Sequence, residues 1–130
     1  ACWVLEWVYD EQPNWFEPHL PEFFSALDQI SHPGALRSIS RISMLLIENE
    51  KLNSVDLSTQ THTTETMVKW FIEDEIKVAT KVYAMKTLFY LSKNNPWIIE
   101  ILEVHIQKDF YNQSAGYKSA AKKVLHYLRK

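Results

Sequence analysis

An all-α fold assembled from two-helix repeats is the architecture this sequence predicts, and three observations predict it. The chain of 130 residues contains only two glycines, Gly34 and Gly116, and glycine is, after proline, the residue least at home inside a helix. Apolar residues recur at i, i+3, i+4 and i+7 over long stretches, which places them on one helical face. The helical stretches also resemble one another. Residues 118–128 (KSAAKKVLHYL) laid over 81–91 (KVYAMKTLFYL) agree at six of eleven positions, from Lys81/Lys118 through Ala84/Ala121 to Leu91/Leu128.

The elements follow in order. In the first helix Ala1, Leu5, Trp7 and Val8 take the frame positions of Ala84, Leu88, Tyr90 and Leu91. A second helix spans residues 14–30, with Pro18 and Pro21 delaying or bending its start. Ser31-His32-Pro33-Gly34 opens the next repeat, where residues 37–47 pair Arg37 with Lys81, Ser40 with Ala84, Met44 with Leu88 and Ile47 with Leu91. About five residues near 50–59 read as an insertion relative to the neighbouring repeats: a family-specific contact or a tolerated loop. Second helices return at 63–73 and 95–110. Phe23, Met67 and Ile106 share one position in these helices, and Leu27, Phe71 and Phe110 another. Asp74 is expected to cap a helix starting near Glu75, and Asn95-Pro96 to set proline at a first helical position.

Small residues thus recur at 1, 40, 84 and 121, with spacings of 39, 44 and 37. A period of about 40 residues with two helices per period is the signature of HEAT or armadillo-like repeats, in an α-α superhelix. The expected organisation is one domain over residues 1–130, with about three and a half repeats. A compact helical bundle is the competing architecture.

Composition narrows the function classes. The chain is 46% hydrophobic, with no uninterrupted apolar run long enough to span a bilayer. A single cysteine, Cys2, precludes an intrachain disulfide and fits a reducing, cytoplasmic setting. Net charge is only −2 but polarised: residues 1–36 hold six acids and no Lys or Arg, whereas 114–130 hold five basic residues and no acid. Solvated faces of opposite sign account for this pattern, with head-to-tail self-association as the sharper alternative.

WVLE (3–6), PHL (18–20), DEIKVATKVYAMKTLF (74–89), PWI (96–98) and KDFYNQSAGYKSAAKK (108–123) resemble a family of small helical bacterial proteins that often carry the name adenylosuccinate lyase. The resemblance covers nearly the whole chain and implies an α-α superhelix of HEAT type. It also implies a longer N-terminus, which would make Ala1 an internal start. The serine-bearing signature loop of true adenylosuccinate lyases, with its Met, Pro, Lys and Asn, has no counterpart here, and no catalytic residue carries over.

No other chemistry is written in the sequence. The five histidines are scattered, without HExxH or zinc spacing, and there is no glycine-rich phosphate loop, so no metal, cofactor or catalytic residue is assigned. The expected role is a non-catalytic protein-interaction module. Its second helices carry acids and aromatics, Glu17, Trp97, Glu100 and Glu103 among them, suited to a basic partner segment. Arg37, Lys81 and Lys118 repeat on the first helices as a ladder that would serve an acidic partner or, in the alternative reading, nucleic acid. Core or ridge packing is expected for all five tryptophans, and an exposed one would mark an interaction hot spot.

Overall fold

In a computed structural model, residues 2–128 are described, with side chains from Val4 onward. Ala1, Arg129, Lys130 and the side chains of Cys2 and Trp3 lie outside that set, and with them the first small anchor. The described residues form seven α-helices: α1 (Cys2–Glu11), α2 (Leu20–Ser25), α3 (Pro33–Glu48), α4 (Leu57–Ile72), α5 (Val78–Leu91), α6 (Trp97–Asp109) and α7 (Ala115–Leu128). Short 3-10 turns cover Pro13–His19, Leu27–Gln29, Lys51–Ser54 and Phe110–Asn112. No described helix is long and apolar enough to cross a membrane. The chain divides into two compact units, Ala1–Thr66 and Met67–Lys130, with the boundary inside α4.

Punctuation by the sequence explains most boundaries. At α3, the His32 Nδ1 accepts hydrogen bonds from the Gly34 and Ala35 amides at 3.1 and 3.3 Å, satisfying two amides that have no intrahelical acceptor. Pro33 follows at the first helical position, where its missing N–H costs nothing. The prolines at 18 and 21 divide the expected 14–30 helix into a 3-10 turn, the short α2 and a second 3-10 turn. Three further expectations shift. Pro96 stands at the N-cap of α6, one residue before its first helical position. Asp74 lies in a turn, and α5 starts only at Val78, with Lys77 as an N-cap whose carbonyl accepts from the Lys81 amide and whose side chain makes no capping bond. Residues 50–59 are ordered structure: Leu52 and Val55 are buried, and Asp56 caps α4 by accepting from the Thr59 amide at 3.2 Å.

In the first unit α1 packs on α3, and the core is built from Leu20, Phe24, Leu27, Ile42 and Ile47. Edge-to-face rings run from Tyr9 through Phe16 and Phe23 to Phe24. In the second unit α5 packs on α6 and α7 around Met85, Leu88, Ile98, Leu102, Ile106 and Tyr117. The small anchors Ser40, Ala84 and Ala121 are each 0% exposed. At such sites a neighbouring helix approaches the backbone closely, and a larger side chain has no room.

Candidate partner-binding surfaces

Lys81 does not stand on a surface ladder. Only 4% exposed, it directs its Nζ to the carbonyl of Phe71 at 3.0 Å. The reason is local. Phe71 lies in the last turn of α4, where carbonyls have lost their intrahelical donors, and an ammonium from the first turn of α5 fills that role. Burial depresses its pKa, partly offset by the carboxylates of Asp109, Asp74, Glu75 and Glu73. Of the other two rungs, Arg37 is exposed on α3, and Lys118 on α7 is half-buried, with its Nζ 5.8 Å from the centre of the Phe110 ring.

Glu17 is exposed and forms an ion pair with Lys51, from the stretch read as an insertion. Its neighbours Glu6 and Asp10 are held by Arg41 at 3.4 and 3.2 Å, and Asp28 lies 3.3 Å from the His62 imidazole. The acidic first segment therefore has four of its six carboxylates engaged within the unit. Glu11 and Glu22 have no ion pair among the described residues.

Trp97, Glu100 and Glu103 do come together. They lie on α6 with Val104, whose opposite face buries Ile98, Leu102 and Ile106. Trp97 is 50% and Val104 52% exposed, Glu100 is exposed and Glu103 half-buried. The spacings 97/100 and 100/104 make these side chains neighbours on the helix surface. Neither glutamate forms an ion pair among the described residues.

Core packing holds for Trp70, at 3% exposure, but not for Trp7, Trp15 or Trp97, at 60%, 63% and 50%. Trp7 shares its frame position with Leu46, which is buried, Tyr90, half-buried, and Tyr127, 57% exposed, so the position has no common exposure.

Two apolar grooves were not singled out by the sequence. In the first unit Leu5, Val8, Trp15 and Phe23 wall an open groove of about 420 Å³ with His19 and Glu22 as its polar groups. In the second unit Ile106, Phe110, Tyr111 and Leu125 wall another of about 320 Å³, with Gln107 and Lys122. A signal was present, since Leu5 and Leu125 occupy the first and last members of the repeat position held by Leu88. Among the described residues no group of three or more His, Cys, Asp or Glu side chains is placed to hold a metal ion. Comparisons with protein families, with curated proteins and with solved structures found no match.

Proposed function

We propose that this chain is a protein-interaction module of HEAT-like repeats whose α6 surface docks a basic segment of a partner protein. The observation that carries the reading is the solvent-facing Trp97, beside Glu100, which has no ion pair among the described residues, and two helical turns from Val104. A half-exposed tryptophan flanked by apolar surface and by carboxylates without counter-ions suits a Lys- or Arg-bearing segment. The ring supplies contact area and a cation–π face, and the acids supply charge complementarity. The repeat part of the reading is supported by the 0% exposure of Ser40, Ala84 and Ala121 and by first helices packing on first helices, α1 on α3 and α5 on α7. The burial of Lys81 weighs against nucleic acid on the first-helix face, because it withdraws the middle cation.

The test is comparative. Wild type and a Trp97→Ala/Glu100→Lys variant serve as baits, and retained proteins are cross-linked to locate the contact. Expected is a protein held by wild type, cross-linked to α6 through a Lys/Arg-rich segment and lost with the variant. Removing a tryptophan hot spot costs about 2 kcal/mol or more, roughly 30-fold in affinity. Equal capture by both baits refutes the α6 assignment, and salt-sensitive binding of duplex DNA or RNA in gel shifts would favour the nucleic-acid alternative.

A further inference from the structure

The two apolar grooves are related by the repeat frame and opposed in charge. Leu88 is 0% exposed, whereas its counterparts Leu5 and Leu125 are 41% exposed and half-buried. Met44, at the same frame position, is half-buried, so Leu88 alone of the four is fully enclosed, while the first and last members, Leu5 and Leu125, each wall a groove. Stacked repeats bury such faces against a neighbour, and terminal faces that stay in water are normally polar. Here they are not. Trp15 stands 63% exposed beside the first groove and Tyr111 85% exposed beside the second.

Each groove carries one charged side chain of fixed sign, Glu22 in the first and Lys122 in the second, and neither has an ion pair among the described residues. The surrounding sequence repeats the contrast, with no Lys or Arg in residues 1–36 and no Asp or Glu in 114–130. Both grooves are open to solvent, so a small molecule would leave much of its surface in water, whereas another protein surface would cover them. Apolar walls of similar character and charges of opposite sign make the two grooves complementary to each other.

We infer that the occupant of each groove is a second copy of this chain, docked head to tail. The Leu5/Trp15/Phe23 wall of one copy meets the Phe110/Tyr111/Leu125 wall of the next, and Glu22 pairs with Lys122 of the partner subunit. Such a contact joins two different surfaces and propagates until it closes into a ring or extends as a filament. The inference stands independently of the α6 docking surface.

Sedimentation velocity of the full chain across a concentration series, at low and high salt, tests it. The expected result is a weight-average sedimentation coefficient that rises with concentration and falls with salt. Glu22→Lys alone and Lys122→Glu alone each weaken association by at least about tenfold, the scale of losing a close charge pair and gaining a like-charge one. An equimolar mixture of the two variants recovers association, because both kinds of contact in it again join opposite charges. Both positions are exposed, and circular dichroism confirms that the variants remain folded. Trp97→Ala leaves self-association unchanged, which separates this contact from the α6 surface. A wild type that stays monomeric throughout overturns the inference. So does association indifferent to both reversals, or a mixture that stays dissociated.

Discussion

Replacing Lys81 by methionine tests whether the buried ammonium stabilises the α4–α5 turn. The side chain is 4% exposed, and its hydrogen bond to the Phe71 carbonyl is 3.0 Å long. Methionine preserves most of the stem and removes the donor. A hydrogen bond from a charged donor contributes about 1.5–3 kcal/mol, and a buried carbonyl left alone costs on the same scale. Against this stands the desolvation of the ammonium, visible in its depressed pKa. The balance predicts a loss of about 1–2 kcal/mol for Lys81→Met in urea unfolding of the full chain. Lys81→Ala removes three stem methylenes as well, at about 0.8 kcal/mol each, and should lose about 3–4 kcal/mol. The pH dependence has a definite sign. Between the folded pKa and the ordinary 10.5, the unfolded chain holds the Lys81 proton and the folded chain releases it, so this site's contribution to stability rises with pH across that window. The stability advantage of wild type over Lys81→Met therefore grows toward alkaline pH and levels off above 10.5. A methionine variant as stable as wild type at neutral pH would refute the capping argument.

Three further outcomes are expected. Among the described residues the buried Thr63 Oγ1 has no hydrogen-bond partner, unlike Thr64 and Thr66, which bond back to the carbonyls of Gln60 and His62; Thr63→Val should raise stability by about 1 kcal/mol in thermal unfolding, and a lower Tm would contradict it. Ala84→Leu overfills a fully enclosed anchor and should cost about 1–3 kcal/mol, whereas Ala115→Leu, at an exposed site on α7, should cost little; equal effects would remove the case for a packed anchor. Burial, reinforced by Asp109, pushes the Tyr117 phenol up to about 12, so the folded state keeps a proton that the unfolded state releases near 10. Stability should fall by about 2–3 kcal/mol between those pH values, and Tyr117→Phe should remove that part of the alkaline loss.

The helical frame was legible because small residues and apolar stripes mark the buried side directly. Ser40, Ala84 and Ala121 are enclosed where the recurrence placed them, and His32-Pro33 opens α3 as its punctuation indicates. Other features depend on contacts that no local pattern carries. Lysine at position 81 reads as a surface residue, and only the unbonded carbonyls ending α4 explain why it turns inward. The exposure of Trp7, Trp15 and Trp97 follows from what lies beside each helix, whereas periodicity reports only the helix itself. The early start of α4 did have a local signal, an Asp immediately before the helix, in Asp56-Leu57-Ser58-Thr59. On α6, Trp97, Glu100 and Glu103 were legible as a group because i, i+3 spacing fixes neighbours on one helix.

One backbone feature bears on how much reserve the fold holds. Residues 49–51 turn the chain out of α3 through Glu50, whose φ of 64° is the single positive value at a non-glycine among the described residues. That conformation costs a residue with a Cβ about 1 kcal/mol that glycine would not incur. The turn is held by Asn49, whose Nδ2 donates to the Leu45 carbonyl at 2.7 Å, and by the burial of Leu52 just beyond. Stability here has therefore not been driven to its maximum. A single Glu50→Gly exchange offers an engineer a gain that leaves the hydrophobic core, the α6 surface and both grooves untouched.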